Sequence, residues 1–190
     1  MMATNRTAGQ IAASMNTASK ALGSKSEKNV IKSCTDITGF GLIGHLIEMV
    51  KASRKSTASR NCCAEINLQR VNFLRGGFKA ARKSVFSSLQ PDNYKQRGGV
   101  ANHDEILNNA NPNLIMKYNL LYNPETSGGL LFFVAPQFVD DFVARLSSAG
   151  VDCCEIGDLV PVTGDHGEYC QAVEDGEKIR KGGKFVHIRT

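Results

Sequence analysis

The sequence predicts an α+β fold, a mixed β-sheet with helices packed on it, and three observations carry that reading. Apolar residues recur at helical spacing in two long stretches, 42–50 and 138–146. Apolar runs of strand length stand at 62–68, 130–135 and 159–162. Glycine-rich or polar turns separate the two kinds of pattern, with no internal repeat and no linker long enough to divide the chain into separate domains. Residues 1–190 are therefore expected to form one domain.

In chain order, residues 7–22 place Ile11, Met15 and Leu22 roughly at helical spacing, and a first helix is expected there. Gly23 to Asn29 breaks it, and Val30 to Cys34 reads as a short strand. Leu42, Ile43, Leu46, Met49 and Val50 then define an amphipathic helix. Cys62 to Leu68 reads as a strand, Ala64 and Ile66 alternating with Glu65 and Asn67, and 78–86 as a short helix. From 87 to 113 apolar content collapses and asparagines accumulate, so a functional loop or a mobile polar excursion is expected. Leu130 to Ala135 has the continuous apolar character of a buried central strand. Pro136 suits the first turn of a helix that Gly150 stops. Val151–Ile156, Leu159–Val162, Gln171–Val173 and Phe185–Ile188 are expected as further strands.

Composition narrows the function classes. No window approaches the roughly 18–20 unbroken apolar residues of a membrane helix, and residues 1–6 lack a secretory layout. A soluble, cytoplasmic protein with no membrane partner is expected. The net charge of +5 comes from 23 basic and 18 acidic residues, which raises nucleic acid as a partner. The basic residues are scattered, however, and no RNA-reading or zinc-finger motif accompanies them. The nearest cluster, Lys51, Arg54, Lys55 and Arg60, lies among serines and reads as a solvated loop. Nucleic acid is therefore not the expected partner. Cysteines 34, 62, 63, 153, 154 and 170 show no zinc spacing, and reduced thiols acting as small hydrophobes are expected.

Two segments can carry chemistry. Thr35-Asp36-Ile37-Thr38-Gly39-Phe40-Gly41 puts one carboxylate ahead of a helix start. A helix start attracts phosphate through its leading amides and dipole. A carboxylate there is a hard ligand suited to Mg²⁺, though Asp36 or Thr38 capping the helix is the simpler reading. Asn123-Pro124-Glu125-Thr126-Ser127-Gly128-Gly129-Leu130-Leu131 is a turn into a strand, its glycines allowing close backbone approach or merely a bulge. A weaker element is Arg97-Gly98-Gly99-Val100-Ala101-Asn102.

These segments, with Gly44-His45, with Ile156-Gly157-Asp158-Leu159-Val160-Pro161 and with Asn5-Arg6-Thr7-Ala8, resemble the selenophosphate synthetase pattern in the right order. The resemblance spans nearly the whole chain. It implies the C-terminal domain of an aminoimidazole ribonucleotide synthetase-like fold. Relatives in that superfamily vary the helix-start motif, and the Asp-Ile-Thr-Gly-Phe-Gly version is similar to the selenium enzyme.

The resemblance implies an ATP-dependent phosphotransferase, selenide, water dikinase. Such an enzyme converts selenide, ATP and water into selenophosphate, AMP and phosphate for selenocysteine synthesis. It implies ATP and Mg²⁺ held mostly by an N-terminal domain, with Asp36 the metal ligand from the C-terminal side. Thr35, Thr38 and Gly39 are the implied nucleotide contacts, and the full-length enzyme is expected to be a homodimer. The family's reactive cysteine or selenocysteine and its lysine lie in an N-terminal arm not found in these 190 residues. No catalytic residue is therefore expected here, and the chain alone is expected to be inactive. Cys34 is expected to be a core thiol, and His45 a packed residue without partners that orders the turn. Another ATP-using member of the superfamily, or a non-catalytic paralogue with a regulatory role, is the alternative.

Overall fold

A computed structural model describes residues 4–21, 29–55, 62–162 and 184–190. They form two compact units, one from 1–36 and 127–155, the other from 37–126 and 156–190. The chain passes between them directly, at Asp36/Ile37, Thr126/Ser127 and Glu155/Ile156.

The first unit pairs two strands with two helices. Helix α1 (Arg6–Ala21) turns Ala8, Ala12 and Met15 inward. Strands β1 (Ile31–Asp36) and β3 (Leu130–Val134) are antiparallel, Asp36 opposite Leu130 and Thr35 opposite Leu131. Helix α7 (Val139–Ser148) adds Phe142 and Leu146, and Phe142 meets Phe132 edge to face at 5.1 Å. Asn16 stands in for a missing strand neighbour. Its amide oxygen accepts from the Ile31 amide at 2.8 Å, and its nitrogen donates to the Ile31 carbonyl at 3.4 Å. Asn5 donates to the Gly128 carbonyl at 2.9 Å, tying the start of α1 to the turn before β3. Gly150 ends this section of the fold with φ +71°, as expected of a glycine stop.

The second unit is built on a three-stranded mixed sheet with β2 (Cys62–Asn67) in the centre. Strand β4 (Gly157–Pro161) runs antiparallel to it and β5 (Val186–Arg189) parallel. Helix α2 (Gly41–Ser53) packs on β2 and β5, burying Ile43, Leu46, Ile47 and Val50. Short helices α3 (Gly77–Arg82), α4 (Gln90–Asn93) and α5 (His103–Leu107) precede α6 (Pro112–Leu120). Arg54 closes α2 onto the sheet: it donates to the Cys62 carbonyl at 2.7 Å and the Lys184 carbonyl at 2.8 Å, stacked 4.6 Å from the Phe185 ring.

The α+β class is as expected, mixed sheet included. Several elements differ. The run 130–135 is not a buried central strand: among the described residues β3 pairs only with β1, and within β3 only Leu131 is buried. Instead β2 takes the central place, with residues of both parities buried, so its expected alternation is lost. Residues 151–156 carry no strand, while Gln171–Val173 and Arg60 lie outside the described residues. Arg54 is a half-buried clamp instead of a solvated charge. The stretch 87–113 carries α4, a 3₁₀ turn over 94–99, α5 and the start of α6, with Asn93, Val100, Asn102 and Ile106 buried. Cys63 is disulfide-bonded, its partner outside the described residues, so a reduced thiol is not its state. Cysteines 34, 62, 153 and 154 are free. No helix of the described residues is long and apolar enough to cross a membrane.

Candidate functional site

Thr35 and Asp36 close β1 in the first unit, whereas Thr38 and Gly39 open the second. The Asp36 side chain is exposed at the strand end, as β1 alternates from buried Ile31 outward. Among the described residues no three metal-ligating side chains cluster. Among these residues Asp36 therefore fits a contributed ligand and not part of a complete cage. The Thr35 hydroxyl donates to the Asp36 carbonyl at 3.4 Å.

Thr38 is the hub of the turn. Its carbonyl accepts from the Gly41 amide at 3.2 Å and from the Glu125 amide at 2.9 Å, which joins the two sequence motifs. Its hydroxyl lies 3.3 Å from His45 Nε2, and His45 Nδ1 lies 3.2 Å from Glu48 Oε2. His45 is buried and sits tilted against the Phe40 ring at 5.5 Å. A carboxylate can only accept, so Nδ1 carries the proton toward Glu48. In the neutral ring that leaves Nε2 to accept from Thr38. The expectation that His45 has no partners is therefore corrected. The i, i+3 spacing of His45 and Glu48 on one helix was the signal that could have shown it.

Helix α2 is not capped by Asp36 or Thr38. Phe40, which has no hydrogen-bonding side chain, occupies the cap position, and the Thr38 hydroxyl lies against His45 instead. Nor are the leading amides left open. Gly41 donates to Thr38 and Ile43 donates to the Leu121 carbonyl at 3.2 Å, so fewer donors remain for a phosphate than at a bare helix start. Gly41 has φ +68°, and a Cβ there would stand 2.9 Å from the Leu121 oxygen; only glycine fits.

The asparagine-rich stretch, silent on this point as a sequence, holds the turn. Buried Asn93 donates to the Gly39 carbonyl at 2.8 Å and to the Tyr122 carbonyl at 3.1 Å. Burial pushes the Glu125 carboxyl up, against an opposing hydrogen bond from Asn123. Cys34 is exposed rather than a core residue, yet partial shielding of its sulfur, then the Asp36 charge, push the thiol up. A raised thiol is a poor nucleophile.

The third motif is architectural. Gly99 accepts from the Phe185 amide at 2.8 Å, Ala101 donates to the Val186 carbonyl at 2.7 Å, and Val100 bridges Val186. Asn102 exchanges two bonds with Ile188, donating at 2.8 Å and accepting at 3.1 Å. Gly157 in the last motif is equally structural, since a Cβ there would stand 1.9 Å from the Glu65 oxygen on β2.

Residues 11–169 match the family described as AIR synthase related protein, C-terminal domain. The chain belongs to this family. Among curated relatives, it is similar to the "Selenide, water dikinase" of Clostridioides difficile, 33% identical over 136 residues, 71% of this chain and 35% of that protein. The protein of the same name from Pseudomonas aeruginosa is 34% identical over 130 residues, 68% of this chain and 33% of its own. That from Geobacter metallireducens is 32% identical over 129 residues, 67% of this chain and 33% of its own. The resemblance to the selenophosphate synthetases that the motifs carried is borne out. The chain spans about a third of the length of these relatives.

Proposed function

We propose that this chain is the C-terminal portion of an ATP-dependent enzyme that makes selenophosphate from selenide, ATP and water, releasing AMP and phosphate. The observation that carries the reading is the similarity to several selenide, water dikinases over about two thirds of the chain. Asp36 offers one oxygen to Mg²⁺, and no cluster of further ligands lies among the described residues, which supports other ligands from the N-terminal part of the enzyme. Bound Mg²⁺ would neutralise charge on the phosphate oxygens, which phosphoryl transfer needs more than covalent help from protein. Thr35, Thr38 and Gly39 contact the nucleotide. Asn93 fixes the Gly39 carbonyl and His45 fixes the Thr38 hydroxyl, so the turn presents one arrangement of polar groups to its ligand. The acting protein is a cytoplasmic homodimer with ATP and selenide as substrates.

The test uses the full-length protein with ATP, Mg²⁺ and selenide under reducing conditions, following AMP and the phosphorus signal of selenophosphate. Selenide-dependent formation of both is the expected result. Turnover of an aminoimidazole precursor instead would assign another superfamily activity. ATP consumption independent of selenide, or none, would point to the non-catalytic alternative.

A further inference from the structure

Away from the turn, the second unit carries a cleft of about 460 Å³ lined by Lys95, Arg97, His103, Asp104 and Lys184 among others. Three features distinguish it from an ordinary basic patch.

The cationic groups are held in place. The Arg97 guanidinium lies 5.1 Å over the Tyr94 ring and donates to the Tyr94 carbonyl at 3.2 Å. Lys184 donates to the Val100 carbonyl at 3.2 Å. Secondly, Lys95 pairs with Asp92, whereas among the described residues neither Arg97 nor Lys184 is in an ion pair, Asp104 being the one carboxylate in the lining. Thirdly, the wall behind them is rigid. His103 Nδ1 meets the Tyr118 hydroxyl at 2.9 Å, Tyr118 bonds to Tyr122, and Tyr94 packs edge-on against both His103 and Tyr122. Burial pushes both buried phenols well up, so they stay neutral and serve as dipoles.

We propose that this cleft binds a free phosphate dianion, clamped between Arg97 and Lys184 with His103 as a third donor. A guanidinium fork and an ammonium fixed on one wall suit a tetrahedral oxyanion, and charge-assisted bonds of this kind are the strong ones. The assignment does not depend on the proposed enzymatic reading, which places phosphate among the products.

His103 reports occupancy. Desolvation chiefly pushes its ring below the ordinary histidine value; Asp104 opposes this, and Arg97 and Lys184 add smaller downward contributions. Among the described residues, Tyr118 and Tyr94, both neutral, touch the ring, and Lys95 shares its cleft. A dianion set among these cations would reverse the balance and raise the value.

The experiment follows the His103 ring by NMR across a pH titration of the 190-residue chain. It compares sodium phosphate with sodium chloride at matched ionic strength, His103→Gln assigning the signal. Expected is a saturable rise of about one unit with phosphate only. Arg97→Gln and Lys184→Gln should each weaken phosphate binding about tenfold, while Arg97→Lys, which keeps the charge and loses the fork, falls between Arg97→Gln and wild type. Melting temperatures of the variants should stay within a few degrees of wild type, which separates loss of the clamp from loss of the fold. A rise equal in phosphate and chloride, or unchanged in the doubly substituted protein, would overturn the proposal.

Discussion

At Asp36 the two roles open to a carboxylate before a helix make opposite demands, and the geometry separates them. The cap position of α2 belongs to Phe40, and the Asp36 side chain stands exposed on β1. Asp36→Asn and Asp36→Ala should each change stability by no more than about 0.5 kcal/mol, as at ordinary surface positions. If Asp36 ligates Mg²⁺, both should cut turnover of the full-length enzyme at least about tenfold. Melting temperature and turnover measured on the same variants check both halves, and wild-type turnover in Asp36→Asn would remove it from the metal site. Glu125 carries a pH signature. Its folded carboxyl is raised by burial, so the stability it contributes is present below the ordinary carboxylate range and lost as pH rises through the raised value. Glu125→Gln should therefore melt above wild type at neutral pH, with the gap closing in acid. Parallel thermal melts across that range would show it, and a constant gap would contradict the assignment.

At the scale of elements, the close contacts around Gly41 and Asn102 decide what tolerates change. Gly41→Ala adds a Cβ at positive φ against a fixed backbone oxygen, and should cost at least about 2 kcal/mol in chemical denaturation. Asn102→Ala leaves the Ile188 amide and carbonyl unpaired in a buried place, at about 1–3 kcal/mol for each group. It should also speed tryptic cleavage at the exposed Lys95 and Arg97. Unchanged stability and cleavage would mean that the 3₁₀ turn is held by other contacts. These elements also show which features sequence could reveal. The helical faces of α2 and α7 were legible because an apolar stripe states its own periodicity. The strands β2, β4 and β5 were legible as strands, but not their order, since pairing between distant segments leaves no local mark. The role of 87–113 was hidden for a similar reason: Asn93 and Asn102 are polar in the sequence and anchors in the fold. Their partners, Gly39, Tyr122 and Ile188, are backbone groups that any residue could supply. The motif holding Asp36 was visible as a motif and helical spacing marks Glu48 beside His45, whereas the contact of His45 with Thr38 needed coordinates.

For the whole molecule, the chain spans about a third of the length of the selenide, water dikinases named above. With one carboxylate and no cluster of ligands among the described residues, it should bind Mg²⁺ only weakly by titration calorimetry. It should also release no AMP from ATP in the presence of selenide. Robust selenide-dependent AMP from the 190 residues alone would overturn the division of labour proposed here.

The central strand has a further consequence, in the order in which the chain is made. Cys62–Asn67 is synthesised long before either strand that flanks it, β4 first and β5 last of all the elements described. At about 5–20 residues per second, β2 waits on the order of 10 s for Val186–Arg189 to emerge. Until β4 emerges this strand has both hydrogen-bonding edges open, and until β5 emerges it still has one, the condition under which nascent chains pair with the wrong partner. The second unit is thus completed from its middle outward, and its yield during synthesis depends on what shelters β2 until the last strand arrives.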